Sequence, residues 1–156
     1  QGSVKMTKNE WVSTCNSRLA DRCIKNFSAL EISDVGRVNQ GVSLSAPPLW
    51  MLSNAYRLID VLEWVRAEGG AAPILINSWF RNADYNRVVG GVSSSMHLTL
   101  GAADIVKVGT SPAELADLIE GHPQSDLLGL GRYHTFTHVD IRGMIGRPAP
   151  ARWDRT

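Results

Sequence analysis

The sequence predicts an α+β domain, a small antiparallel sheet with helices packed on it. Helical periodicity dominates the first seventy residues, and short apolar runs bounded by glycine and polar residues dominate the rest. Strand and helix nowhere alternate in the regular manner of a parallel α/β sheet. At 156 residues the chain fits a single domain, 1–156, able to bury roughly 70% of its unfolded surface. Residues 1–6 read as a tag or disordered lead, with Gly2-Ser3 a cloning scar and Met6 near the natural start.

Thr7-Lys8-Asn9-Glu10 is a capping box, and Trp11, Cys15, Leu19 and Cys23 follow at helical spacing, predicting a helix over 8–25. Cys15 and Cys23 then stand about 12 Å apart along it, too far to bridge, and read as two small buried side chains. Polar, glycine-containing sequence covers 33–45. A second helix is expected to open at Ser45-Ala46-Pro47, bury Leu52, Ala55, Leu58 or Ile59, Leu62 and Val65, and end at Gly69-Gly70. Pro73 to Ser78 reads as a short buried strand, Trp79 to Val89 as a loop or short helix, and Ala102 to Val106 as a second strand. Ser111-Pro112-Ala113-Glu114 caps a helix to about Glu120. Leu127 to Arg132 and Thr135 to Ile141 form a strand pair, and Arg147 to Pro150 is an extended surface tail.

Apolar residues make up 44% and charged residues 20% of the chain, the balance of an ordinary globular protein. A net charge of +1 without a run of Lys or Arg argues against a nucleic-acid partner. No stretch approaches the ~20 apolar residues of a membrane span. The first residues lack the apolar core of a signal peptide. A monomer is expected.

The chemistry centres on 95–104, Ser-Met-His-Leu-Thr-Leu-Gly-Ala-Ala-Asp. Donors sharing one zinc must lie within about 3–4 Å of each other, because each bond is about 2 Å. On a regular helix His97 and Asp104 are about 10 Å apart, and on a strand over 20 Å. The spacing works only if His97 leaves a loop, Gly101 lets the chain turn, and Asp104 sits early in the next strand. Downstream, strand alternation puts His134, Phe136, His138 and Asp140 on one face. Two imidazoles and a carboxylate with an open fourth position make a catalytic zinc set, able to render water nucleophilic near neutral pH. By spacing alone each of the four histidines is equally a core or surface residue, and His122 and His134 keep that reading.

These residues resemble the zinc D-Ala-D-Ala carboxypeptidases and their relatives: D-Ala-D-Ala dipeptidases, phage endolysins that cut the cell-wall stem peptide, and the zinc domain of hedgehog proteins. The family pattern S-x-H-x-x-G-x-A-x-D is carried by Ser95, His97, Gly101 (one residue later than in the commonest spacing) and Asp104. Residues 136–143, Phe-Thr-His-Val-Asp-Ile-Arg-Gly, are similar to the F-x-H-x-D-x-R-G ending of one bacterial and phage branch. Ser78-Trp79-Phe80-Arg81 with Tyr85-Asn86 resembles S-G-[YF]-R-[ST]-x-x-[YE]-N. The resemblance runs from Ile74 to about Trp153, which makes 70–153 the motif-bearing half. It implies one zinc ion on His97, Asp104 and His138, a peptidoglycan-peptide substrate, and Arg81 binding a substrate carboxylate or polarising the scissile carbonyl. Ser95 would bond substrate or hold the loop that presents His97.

Two departures bear on mechanism. Many members carry a Glu or Asp three residues before the last zinc histidine, where this chain has Thr135. Asp140 becomes the expected general base, with His134 the other candidate and a ligand-orienting role for Asp140 the competing reading. Trp79 replaces the usual glycine, with a reshaped substrate cleft as the expectation. Arg142 is expected to brace the sheet, and the five tryptophans are read as core or hinge residues. The functional expectation is a zinc peptidase acting on the bacterial wall, in the periplasm or outside the cell. It is either an endolysin-like endopeptidase, phage-encoded and released from the cytoplasm, or a D-Ala-D-Ala carboxypeptidase. A binding module that keeps zinc without hydrolysis, and an unmetallated structural protein, are the alternatives.

Overall fold

The computed structural model describes residues 5–156. Of the expected lead segment, residues 1–4 lie outside the described residues. Lys5 donates to Ser45 Oγ at 3.2 Å, and Met6 packs against the core.

Helix α1, Lys8–Asp21, opens on the predicted capping box. The Glu10 N–H donates to Thr7 Oγ1 at 3.2 Å and the Thr7 N–H to Glu10 Oε1 at 2.9 Å. It buries Trp11, Cys15 and Leu19 and stops four residues before the expected end. Cys23 adopts a φ of +58°, a left-handed backbone that terminates a helix. Cys23 is therefore exposed, against expectation, while Cys15 is buried, and both are free. Two elements fall in sequence that carried no assignment. A four-residue helix, α2, Ala29–Ile32, packs Ala29 and Ile32 inward. A hairpin joins β1, Val38–Asn39, to β2, Val42–Ser43, through Gln40 and Gly41, both at positive φ, the geometry a tight two-residue hairpin needs.

The core helix α3 runs Leu52–Ala67 after a 3-10 turn at Leu49–Met51, starting later than Ser45. Pro47 precedes Pro48, and a residue before proline is pushed out of the helical region. Pro48 itself holds an extended ψ of 138°. The buried face is the predicted one, Leu52, Ala55, Leu58, Ile59, Leu62 and Val65. Its last turn is tied off by Lys107, 2% exposed, whose ammonium donates to Val65 O at 2.9 Å and to Glu68 O.

The main sheet comprises β3, Ile74–Ser78; β4, Ala102–Lys107; β5, Gly129–Arg132; β6, Thr137–Asp140; and β7, Ala151–Asp154, in the order β3-β4-β6-β5-β7. Helix α4, Ala83–Val88, links β3 to β4, and α5, Pro112–Glu120, links β4 to β5, with Ser111 Oγ accepting from the Glu114 N–H. All pairs are antiparallel except β5 with β7. One expectation changes here, and one strand is added. Strand β3 is an edge strand, so Leu75 is 51% exposed instead of buried. The tail beyond Pro150 joins the sheet, where Ala151 N–H donates to Leu128 O and Arg155 N–H to Arg132 O along the free side of β5.

Candidate metal centre

His97 lies in a 3-10 turn, Met96–Thr99, and Asp104 is the third residue of β4. The reversal between them is made by Leu100, at φ +66°, and not by Gly101. A Cβ at Gly101 would stand 2.9 Å from Met96 Cε and 3.0 Å from Thr99 Oγ1, so any other residue would push aside the methionine end and the threonine hydroxyl. On β6, His138 pairs directly with Asp104, which puts both side chains on one face. Each of His97, Asp104 and His138 is buried, and one donor atom from each lies within 4.8 Å of the others.

The protonation pattern follows from the partners. The Nδ1 of His97 is 2.6 Å from the Trp79 carbonyl, which can only accept, so the proton is on Nδ1 and Nε2 is bare. That bare nitrogen faces Asp104 Oδ1 at 3.3 Å. The Nε2 of His138 stands 2.8 Å from Asp140 Oδ2 and its Nδ1 2.9 Å from the same Asp104 Oδ1, and a ring protonated on Nε2 alone presents a bare Nδ1 to Asp104. In that state two bare nitrogens and an anionic oxygen converge on one point, an arrangement that repels itself unless a cation sits among them. Separations of about 3 Å are those of ligands around an ion with bonds near 2 Å, and the mixed N/O set suits zinc. The cluster fits a single zinc ion.

The electrostatics show a site that draws positive charge, with protons between the imidazoles and Asp104 taking the cation's place when no metal is bound. Burial holds His97 below the usual imidazole range despite the nearby Asp104. Burial of Asp104 opposes its ionisation, but hydrogen bonds from His138 and His97 outweigh it and hold the carboxyl well below the usual range. Burial also pushes His138 down, and the two carboxylates outweigh it and raise it.

The expected site residues divide. Ser95 accepts from the His97 N–H at 3.1 Å, the loop-holding role. Arg81 is tied to three side chains, Nε to Ser78 Oγ at 3.1 Å, one terminal nitrogen to Asn86 Oδ1 at 3.3 Å and the other to Asp104 Oδ2 at 3.2 Å. It also lines a cavity of about 410 Å³ with Glu31, Asp34, Arg37 and Tyr85. Asp140 is wholly buried, and both oxygens are taken by Arg142 and His138. Arg142 thus grips Asp140 and is no general brace of the sheet. Its hydrogen bonds and those of His138 outweigh burial and keep Asp140 ionised. His134 does not share the face of His138. Strand β6 begins only at Thr137, and His134 is exposed in the bend before it, lining another depression with Ser111, Arg132 and Asp154. Trp79 lines the same cavity as Arg81. It is 2% exposed and donates to Leu100 O at 2.9 Å, pinning the His97 turn. The sequence did not single out the Trp79 carbonyl, whose role is set by the backbone, or Trp153, whose ring lies 5.0 Å from that of His138.

A buried His–Asp–His cluster of this geometry defines a candidate zinc centre. A family model described as Peptidase M15 matches residues 25–140. The chain belongs to that peptidase family. Over 122 residues, 78% of this chain, it is 30% identical to the zinc D-Ala-D-Ala carboxypeptidase of Streptomyces albus G. The match covers 47% of that protein, so the chain spans about half the length of the curated relative it matches.

Proposed function

We propose that this zinc peptidase hydrolyses a peptide bond in bacterial peptidoglycan stem peptide, as an endolysin-like endopeptidase or as a D-Ala-D-Ala carboxypeptidase. The observation that carries the reading is the buried convergence of His97 Nε2 and His138 Nδ1 on Asp104 Oδ1, at 3.3 and 2.9 Å. The resemblance to a carboxypeptidase named for D-Ala-D-Ala supplies the substrate class. On this reading the protein acts at the cell wall, in the periplasm or outside the cell, and works as a monomer.

His97, Asp104 and His138 hold the zinc, which supplies Lewis acidity for polarising a carbonyl and activating water. Arg81 fixes Asp104 through Oδ2 and leaves Oδ1 to face the imidazoles. Three of its five N–H groups are engaged in the bonds above, so two remain for a substrate carbonyl or carboxylate in the adjoining cavity. Ser95 and the Trp79 carbonyl fix the position and tautomer of His97. Asp140 acts as a positioning group for His138 and not as the general base, because water has no access to its carboxylate.

One observation favours a second reading, a zinc-holding binding module without hydrolysis. Thr135 is exposed, and the carboxylates of Asp104 and Asp140 are both engaged, so neither is free to accept a proton. Digestion of purified peptidoglycan with mass analysis of the products separates these outcomes. Release of free D-Ala marks a carboxypeptidase, and cut stem peptides mark an endopeptidase. A fully zinc-loaded protein that releases neither is the binding module.

A further inference from the structure

We propose that Trp153, on the carboxy-terminal strand β7, is a positioning residue of the metal centre, holding the His138 imidazole against Asp140 and shutting water away from that hydrogen bond. The proposal rests on the zinc reading above. It concerns a strand beyond residues 25–140, the stretch matched by the family model.

Strand register makes the contact possible. Gly131 of β5 pairs with His138 on one side and with Trp153 on the other. Residues two strands apart are separated by roughly 9–10 Å, and the side chain between them normally keeps them apart. Position 131 has no side chain. A Cβ there would stand 2.4 Å from the indole Nε1 and 2.5 Å from Cε2, so the Trp153 ring lies in the space that the glycine leaves. Its ring centre thereby comes to 5.0 Å from that of His138. The same ring has the Arg142 guanidinium 5.2 Å from its centre, so it borders both partners of Asp140.

The ring is also fixed from its far side. Its N–H donates to the Tyr133 hydroxyl at 3.0 Å, and Tyr133 stacks on Phe136 at 4.4 Å. The second glycine of β5, Gly129, opens the matching space for the carboxylate, since a Cβ there would meet Asp140 Oδ2 at 2.4 Å. Two glycines and one tryptophan thus form the dry seat in which His138 Nε2 meets Asp140. Without the indole, the imidazole gains room to turn, and water reaches a bond that sets which nitrogen faces the metal.

The test measures zinc affinity by chelator competition, and the visible spectrum of the cobalt-substituted protein, in wild type, W153A, W153L and W153F, with melting temperatures alongside. W153A and W153L are expected to weaken zinc about 10–100-fold, the usual worth of an outer group that orients a ligand, and to alter the cobalt spectrum. W153F, which refills the cradle with a flat ring, is expected to recover most of the loss. In the loaded enzyme kcat should fall in W153A with KM little changed. Wild-type zinc affinity and an unchanged cobalt spectrum in a folded W153A overturn the proposal. If W153A does not fold, W153L decides by the same two measurements. A wild-type protein that binds neither metal defeats the zinc reading instead.

Discussion

The Nε2 of His138 lies 2.8 Å from Oδ2 of Asp140, two positions along the same strand. Alternation makes the two neighbours on one face, and Arg142 holds the carboxylate from its other side at 2.7 Å. On the zinc reading, this bond holds the Nε2 proton against Asp140 and turns the Nδ1 lone pair toward the metal. Asp140→Asn is therefore expected to keep the fold, loosen zinc about 10–100-fold, and regain activity in excess zinc. Loss of about 10²–10⁴-fold in rate with zinc fully bound would instead make Asp140 the acid–base group. Full zinc and full activity would turn attention to His134→Ala.

Elemental analysis of protein purified without added metal should find about one zinc per chain, with His97→Ala removing most of it. Affinity should fall on acidification, because both imidazoles must be neutral to bind. A metal-free protein that still hydrolyses its substrate would sink the assignment.

Arg81→Ala is expected to lower activity at least tenfold. Since Arg81 bonds Asp104 Oδ2, zinc affinity should fall as well. Arg81→Lys should rescue partly, because an ammonium cannot reproduce the guanidinium fork. Wild-type kinetics in Arg81→Ala would leave the residue without a role in the site.

Lys107→Met tests the fold alone. It leaves the Val65 and Glu68 carbonyls without their donor, a loss of about 1–3 kcal/mol for buried acceptors. The melting temperature should drop by several degrees while zinc content stays at wild-type level. An unchanged melting temperature would mean that water replaces the ammonium.

The two cysteines should differ sharply toward a thiol reagent. Cys23 is exposed, whereas burial pushes the Cys15 thiol up to about 12. Native protein should label at one cysteine, and denatured protein at two. The raised folded value also sets a sign. Above the ordinary thiol value near 9, the unfolded chain loses the Cys15 proton while the folded chain keeps it. Stability from this group is therefore complete below pH 9 and declines from there toward pH 12. Cys15→Ala should flatten that decline, read as denaturant midpoints at pH 8 and pH 10.5.

Much of the fold was legible because its signals are local. The Thr7–Glu10 box, the α3 stripe from Leu52 to Val65 and the Ser111 cap each depend on residues within a few turns of one another. The elements that went unread are short or depend on distant partners. The β1–β2 hairpin has two residues per strand, and β7 exists because β5 offers a free edge. The end of α1 depended on one backbone angle, the positive φ of Cys23, which cysteine as a residue type does not advertise.

For the site, the residues named from the sequence were His97, Asp104 and His138, with Arg81, Ser95 and Asp140 beside them, and the fold brings the first three together. Spacing alone left each histidine open between core, surface and ligand, and the resemblance to the carboxypeptidase motifs singled out two of them. The contacts and solvent exposure of each neighbour come from the assembled fold. A buried carboxylate that Arg142 and His138 occupy orients a ligand, while the same carboxylate open to water would accept a proton. Which of these holds for Asp140 is set by Gly129, by Arg142, and by a tryptophan on a strand two places away in the sheet. Solvent access is a property of the assembled fold, and no local pattern around Asp140 encodes it.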